Sequence, residues 1–234
     1  MMNKEMIYEG KAKRVFATDH EDEVLVSYKD DATAFNGEKK GTIVGKGVVN
    51  NRMSNYLMKI LEEKGIPTHY VKELSERDTI VKKVDIVPLE VIIRNKACGS
   101  FSKRYGVKEG SELKCATLEF SYKNDDLGDP LINRYHALAL GLASEAELTE
   151  IERLAFLVNE TLIAYFQTID IELVDFKLEF GRYHDSIILA DEISPDTCRL
   201  WDIHTHSRLD KDRFRRDMGN VEEAYLEVYR RLGI

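Results

Sequence analysis

Hydrophobic and polar residues alternate through much of the first 100 residues, which is the pattern of β-strands with one buried face. This alternation predicts strands near 6–8, 13–17, 24–28, 68–73, 79–83 and 89–94. Residues 29–47 instead carry four glycines among many charges, and this composition predicts a long mobile loop. The N-terminal part of the chain is therefore expected to form a β-rich lobe.

Two segments change to the spacing of an amphipathic helix. The first has its apolar positions at Val49, Met53, Tyr56, Leu57, Ile60 and Leu61, and Gly65 and Pro67 follow as a stop signal. The second opens at Ser144, which forms a capping-box pattern with Glu147, and its apolar stripe predicts a helix to about residue 168. Two short helices are predicted near 211–218 and 221–232.

The segment "VDFKLEFG", residues 174–181, predicts a strand with an unusual charged face. Val174, Phe176, Leu178 and Phe180 would share one face, and Asp175, Lys177 and Glu179 the other. The next strand, in "SIILADEI", would return as a hairpin and bring Asp191 near Glu179. Two converging carboxylates favour a cation such as Mg²⁺, with Lys177 beside it to neutralise a phosphate. The alternative is the ordinary polar face of a half-exposed strand.

Three other segments carry candidate phosphate-binding residues. "YEGKAKRVF", residues 8–16, places Lys11 and Lys13 at a strand turn, where they could bind phosphate. The alternative is a surface hairpin with two solvated lysines. "LEVIIRNKACGS" leads from Arg94 to Ser100 at a predicted helix start, and "SPDTCRLWD" adds Arg199. The alternative there is a structural arginine and an N-cap serine. The basic run "KDRFRR" is interpreted as a solvated helix face.

Composition narrows the function classes. A net charge of −8 argues against a nucleic-acid-coating protein, and no stretch approaches the roughly 18 apolar residues of a membrane span. The N-terminal residues lack the apolar core of a signal peptide. Three cysteines, odd in number and widely spaced, suggest neither disulfides nor structural zinc. The expectation is a soluble cytoplasmic protein that contacts neither nucleic acid nor membrane.

Taken together, these segments resemble the SAICAR synthetases of purine biosynthesis over nearly the whole chain. The similarity rests on "GKAKRVF", "KGVVNNRMS", "VKKVDIVPLEVIIRNKACGS", "KNDDLGDP", "LVDFKLEFG", "LADEISPDTCRLWD" and "DKDRFRRDMG". It implies an ATP-dependent ligase that joins L-aspartate to carboxyaminoimidazole ribonucleotide through an acyl phosphate. It also implies an α+β fold distantly similar to protein kinases, with ATP in a cleft between an N-terminal antiparallel β lobe at 1–86 and a larger α+β lobe at 87–234.

The resemblance also implies roles for individual residues. The implied ATP-binding residues are Lys11, Ala12, Lys13, Val15, Lys82, Asp85, Ile86 and Lys123. The implied substrate-binding residues are Glu90, Arg94, Ser100, Asp129 and Arg199. Lys177, Asp175 and Asp191 would lie at the reacting groups, and Glu179 and Asp191 would hold Mg²⁺. By analogy with the family, a homodimer is expected.

Two departures from the family pattern affect this assignment. Cys98 stands where many members have alanine, and no thiol chemistry is expected from it. Asn36 stands where some bacterial relatives have an acidic residue, so it receives no metal or substrate role. Asp30 or Asp31 is suggested to take the place of that acidic residue.

Two other functions use the same residues. A small-molecule kinase would share the ATP-binding groups and phosphorylate a hydroxyl, and ADP release that depends on aspartate would argue against it. A nucleotide-sensing module could retain Lys13 and Arg94, but it has little reason to keep both Glu179 and Asp191.

Overall fold

The computed structural model describes residues 5–34 and 37–234. The strands are β1 (Met6–Glu9), β2 (Lys13–Ala17), β3 (Glu23–Tyr28), β4 (Asp31–Ala34), β5 (Lys39–Thr42), β6 (Tyr70–Glu73), β7 (Asp78–Lys82), β8 (Asp85–Ile86), β9 (Leu89–Lys96), β10 (Glu112–Tyr122), β11 (Leu131–Ile132), β12 (Ile171–Tyr183), β13 (Ser186–Ala190) and β14 (Cys198–Asp202). The helices are α1 (Lys46–Glu63), α2 (Gly99–Tyr105), α3 (Arg134–Ala139), α4 (Glu145–Gln167), α5 (Asp212–Arg215) and α6 (Val221–Leu232). The predicted α+β class is confirmed.

The N-terminal strands form an antiparallel sheet of five strands in the order β1-β2-β3-β7-β6. Its strands lie within a residue or two of the predicted positions because the alternation of Val, Ile and Leu with polar residues is a local signal. A second sheet of seven strands has the order β11-β10-β9-β12-β13, and β8 and β14 also pair with β12. Strand β12 is therefore the centre of the larger sheet.

An irregularity in β12 changes which side chains share a face. Ile171 and Leu173 lie in the main core, and so do Phe176, Leu178 and Phe180, although the two groups differ in parity. The pairing of β12 with β14 shifts between Leu173 and Asp175, as expected of a β-bulge. Val174 packs instead against Cys98 and Trp201 in a separate cluster. The prediction that Val174 shares a face with Phe176 was therefore wrong.

The two predicted long helices are both present and supply much of the core. In α1 the residues Met53, Leu57 and Leu61 are fully buried, at the predicted apolar positions. At the start of α4 the Ser144 hydroxyl accepts a hydrogen bond from the Glu147 N–H, and Glu147 accepts one from the Ser144 N–H. This reciprocal pair is the predicted capping box, and it satisfies N–H groups that otherwise lack helical partners.

The segment predicted as a mobile loop, 29–47, contains regular structure. Strands β4 and β5 form an antiparallel hairpin, and α1 already begins at Lys46. Asp30 anchors this region, because its carboxylate accepts hydrogen bonds from the Gly45 and Gly47 N–H groups and from Arg77. The glycine-rich composition concealed these contacts. Asn36 lies outside the described residues.

The lobe boundary predicted after residue 86 remains a prediction. Strand β8, which ends at Ile86, pairs with β12 of the larger sheet. Hydrophobic residues of α1 also pack in the same core as β9 and β12, so the two parts share one interior. In the part of the chain that the structure describes, no helix is both long enough and apolar enough to cross a membrane.

Candidate active site

A cavity of about 1510 Å³ lies where the five-stranded sheet faces β9 and β12. Seven of the eight residues predicted to bind ATP line it: Lys11, Ala12, Lys13, Val15, Lys82, Ile86 and Lys123. Asp85 does not, because its side chain is exposed and lies 3.4 Å from Arg182. A role for Asp85 would have to come from its backbone.

One wall of this larger cavity is apolar and suits a planar base. It includes Val24, Val26 and Val81 from the five-stranded sheet and Met58 from α1. His69 also lies in this wall, and burial together with the nearby charge of Lys13 lowers its pKa to about 3. The imidazole is therefore neutral at physiological pH. Sequence reasoning missed His69, which directly precedes β6, because an isolated histidine gives no signal of a binding site.

The opposite wall concentrates charges contributed by three parts of the chain. Lys177 Nζ lies 2.5 Å from Glu179 and 3.3 Å from Glu90, and Lys123 Nζ lies 2.7 Å from Glu179. Burial alone would lower the pKa of Lys177, but the charges of Glu179, Asp191 and Glu90 outweigh it and raise that pKa. The ammonium group therefore stays charged. The hairpin of β12 and β13 brings Glu179 opposite Ala190, beside Asp191, as predicted.

Asp191 is held in a backbone conformation that non-glycine residues rarely adopt. Its φ is +60°, in the left-handed region, immediately after β13 ends. Its carboxylate is paired with Lys13, which also lies 3.1 Å from Glu192. Burial would raise the pKa of Asp191, but Lys13 and Lys177 lower it, so the group is ionised. Glu192, almost fully buried in the same cavity wall, was not predicted.

A smaller cavity of about 340 Å³ adjoins the first. Arg94, Asp175 and Arg199 form its charged wall, and they lie side by side because Asp175 pairs with Arg94 of β9 on one side and with Arg199 of β14 on the other. Asp175 accepts hydrogen bonds of 2.7 Å from Arg94 and of 2.8 and 2.9 Å from Arg199. The Arg94 guanidinium also donates to Ser100 and Glu119. The structure thus brings Arg94, Ser100 and Arg199 together.

Arg199 is held tightly against the backbone. A side chain at Gly99, whose φ is +54°, would collide with the Arg199 guanidinium. Burial would lower the pKa of Arg199, but Asp175 and Asp212 raise it, so it remains a permanent cation. The adjacent Cys98 is buried, and burial raises the pKa of its thiol to about 11, which disfavours the reactive thiolate.

The two cavities share part of their lining. Lys11, Thr33, Gly37, Glu90, Asp129 and Lys177 contact both. A group bound in one cavity can therefore meet a group bound in the other at Lys177 and Glu90. This arrangement fits a reaction between two ligands better than it fits the binding of a single nucleotide.

The interpretation of "KDRFRR" as a solvated helix face was wrong. Only residues 212–215 are helical; Asp212 is fully buried and Arg215 lines the smaller cavity. Asp212 Oδ1 accepts from Arg215 and Oδ2 accepts from Arg199. A charge run seen alone gives no sign of such burial.

Asp30 and Asp31 were suggested to take the place of the acidic residue that some relatives have at position 36. Asp30 is already paired with Arg77, and Asp31 lines the larger cavity beside Lys29.

Comparison with known proteins identifies the family. The SAICAR synthetase family model matches residues 6–232. The chain belongs to the SAICAR synthetase family. It is 69% identical, over the full length of both chains, to phosphoribosylaminoimidazole-succinocarboxamide synthase of Lachnoclostridium phytofermentans. It is 62% identical to the enzyme of that name from Caldanaerobacter subterraneus subsp. tengcongensis, over 99% of each chain.

Solved structures agree with this assignment. The crystal structure of the Ehrlichia chaffeensis synthase superposes with a TM-score of 0.96 at 49% identity and covers 98% of both chains. A SAICAR synthetase in complex with ADP superposes with a TM-score of 0.93 at 50% identity, over 96% of each chain. The chain is thus an ATP-dependent ligase of purine biosynthesis, and the kinase and sensor interpretations are set aside.

Proposed function

We propose that the chain joins L-aspartate to the carboxylate of carboxyaminoimidazole ribonucleotide through an acyl phosphate, at the junction of the two cavities. The observation that carries this proposal is the shared lining. Lys177, Glu90 and Asp129 contact both cavities, so the γ-phosphoryl group of ATP and the substrate carboxylate can meet there. Binding both reactants in the correct relative orientation lowers the entropic part of the activation barrier.

The residue types match the chemistry of activation. A carboxylate is a poor electrophile at neutral pH, because its negative charge repels an attacking amine. One carboxylate oxygen attacks the γ-phosphorus of ATP and releases ADP; the aspartate amine then attacks the acyl carbon, loses a proton and expels inorganic phosphate. Lys13, Lys123 and Lys177 offset the charge that gathers on the transferred group.

The ribonucleotide is proposed to bind with its phosphate at the arginines of the smaller cavity. Arg94 and Arg199 are permanent cations with planar donor arrays, and the Ser100 hydroxyl lies 3.0 Å from Arg94. Asp175 lies between the arginines and fixes their directions. Glu90 and Asp129 are proposed to contact the imidazole and ribose end. ATP is proposed to lie in the larger cavity under the turn that carries Lys11 and Ala12.

The donors in the larger cavity fit Mg²⁺ shared with ATP. Glu179 lies on β12, and Asp191 directly follows the partner strand β13. Both offer hard oxygen ligands and face lysines that would neutralise neighbouring phosphates. Among the described residues, no group of three or more acidic, histidine or cysteine side chains converges into a metal cluster. Two carboxylates completed by phosphate oxygens are the usual arrangement for this ion. When bound, Mg²⁺ would polarise the γ-phosphoryl group.

An isotope experiment tests the acyl phosphate. Ribonucleotide labelled with ¹⁸O in its carboxylate should yield labelled inorganic phosphate in step with the amide product, since one carboxylate oxygen leaves with phosphate. Unlabelled phosphate alongside normal amide formation would refute this route. A stable phosphorylated product would favour the kinase alternative, and no turnover with all three substrates would favour the sensor.

We also propose that the enzyme acts as a homodimer in the cytoplasm. The location is supported by its three free cysteines, which suit a reducing compartment. The assembly is supported by analogy with the family and by exposed apolar side chains, among them Tyr105, Leu131 and Phe156, around a groove of about 620 Å³. Light scattering coupled to size-exclusion chromatography measures the oligomer directly.

A further inference from the structure

Arg215 ends the short helix α5 and lines the smaller cavity near Arg199. Its side chain is 28% exposed, whereas those of Arg94 and Arg199 are 3% and 17% exposed. Of the three arginines in this cavity, Arg215 is therefore the most accessible to a ligand.

The hydrogen bonds of the three arginines differ in the donors that they leave to a ligand. Arg199 uses Nε for Asp212 and Nη1 for Asp175, and its Nη2 has no hydrogen-bond partner among the described residues. Arg94 uses Nε, Nη1 and Nη2 for Glu119, Asp175 and Ser100. Arg215 places Nη1 2.8 Å from Asp212, while its Nη2 makes only a long contact of 3.4 Å to the backbone carbonyl of Asp196. Within the described residues its Nε has no recorded partner. One edge of this guanidinium is thus available for a planar anion.

Two of the four acidic residues that line the cavity, Asp196 and Asp175, are already paired with other cations. The Asp196 carboxylate also belongs to the lining, but it is paired with Lys46 and Lys211 and accepts from the Tyr225 hydroxyl. Asp175 is neutralised by its two arginines. The positive charge of Arg215 is therefore offset mainly by Asp212, which it shares with Arg199.

We infer that Arg215 binds one carboxylate of the amino-acid substrate L-aspartate. This inference rests on the proposed function, in which ATP binds in the larger cavity and the ribonucleotide phosphate binds to Arg94 and Arg199. Aspartate brings two carboxylates that need cationic partners, and its amine has to reach the activated carbon at the shared lining. Arg215 lies in the same cavity as that lining and is held there by Asp212.

The neighbouring hairpin of β4 and β5 contributes to the same cavity. Thr33 and Ala34 of β4 line the same cavity. Lys39 of β5 donates a hydrogen bond of 2.6 Å to the Phe214 carbonyl and pairs with Asp217, on either side of Arg215 in sequence. This contact links the hairpin to the segment that carries Arg215, and residues of both segments line the cavity.

Steady-state kinetics of Arg215→Gln and Arg215→Lys test the inference. A lost charge-assisted contact is worth about 1.5–3 kcal/mol, so Arg215→Gln should raise the KM for L-aspartate by roughly 10-fold to 150-fold. The KM values for ATP and the ribonucleotide should change little. Arg215→Lys keeps the charge and the Asp212 pair, and should show a smaller increase.

A matched control comes from the same turn. Among residues 5–34 and 37–234, Arg213 donates only to the backbone carbonyls of Arg208 and Gly219, and it lines neither cavity. Arg213→Gln should therefore leave the KM for aspartate unchanged. Thermal melts of all variants separate loss of folding from loss of binding, and Arg215→Lys retains the internal ion pair if the glutamine variant does not fold.

The outcomes distinguish this inference from the proposed function. Wild-type enzyme that forms no amide product with all three substrates, or that forms it without passing ¹⁸O to inorganic phosphate, would refute the proposed function itself. Wild-type enzyme that requires aspartate, together with an unchanged aspartate KM in Arg215→Gln, would overturn only the inference. An increase confined to the ribonucleotide KM would place Arg215 with Arg94 and Arg199 at the phosphate and would also overturn it.

Discussion

Replacing Asp30 by Asn tests whether one carboxylate organises the start of α1 and the hairpin of β4 and β5. Asp30 accepts hydrogen bonds of 2.7 and 2.9 Å from Arg77 and of 2.9 and 3.2 Å from the N–H groups of Gly47 and Gly45. Burial acts to raise its pKa, but these donors outweigh it and lower the pKa from 3.8 to about 2. The ionised form is thus favoured by folding.

The pKa difference sets an upper limit on the stabilisation. A lowering from 3.8 to about 2 corresponds to about 2.4 kcal/mol, at 1.36 kcal/mol per pKa unit. Because Arg77 is 39% exposed and Asp30 22% exposed, solvent screening reduces this figure. Asn also keeps one oxygen that can accept from Gly47 or Gly45. We therefore expect Asp30→Asn to lower the free energy of unfolding by about 1.5 kcal/mol at pH 7.

Urea unfolding measures this loss. A carboxyl group whose pKa is lowered by folding stabilises the protein above pH 3.8 and loses that contribution as the pH falls towards 2. The difference between wild type and variant should thus be constant from pH 8 to pH 5. Asp31→Asn is the control, since Asp31 is 56% exposed and its pair with Lys29 should be worth less than about 1 kcal/mol. An Asp30→Asn loss no larger than the Asp31→Asn loss would refute the reasoning.

Two further predictions concern the active site. Asp191→Asn should reduce kcat by about 10²-fold or more while the circular dichroism spectrum is retained, because it removes a charge proposed to hold Mg²⁺; near-normal turnover at saturating Mg²⁺ would remove the metal assignment. Arg94→Ala and Arg199→Ala should each raise the KM for the ribonucleotide by roughly 10-fold or more and change that for ATP far less. Equal increases in both KM values would count against the phosphate site, and thermal melts are needed because each change leaves Asp175 with one arginine fewer.

The sequence by itself determined the local elements and one pair of site residues. Helices α1 and α4 were predictable because their apolar spacing, the Ser144 capping box and the stop at Gly65 are all signals within a few turns of chain. The approach of Glu179 and Asp191 was predictable for the same reason, since a short hairpin fixes its own register. The motifs also identified the family before any contact was known.

Tertiary structure decided how distant segments combine around the substrate cavities. Arg94 and Asp175 are 81 residues apart in sequence, and only the pairing of β9, β12 and β14 places Asp175 between Arg94 and Arg199. A bulge in β12 separated Val174 from Phe176, which strict alternation did not foresee. Asp212 and Arg215 looked like part of a solvated basic run until their contacts with Arg199 and Asp196 were known. Alternation and helical spacing report the faces of one element, whereas burial of a charge depends on which other elements pack against it.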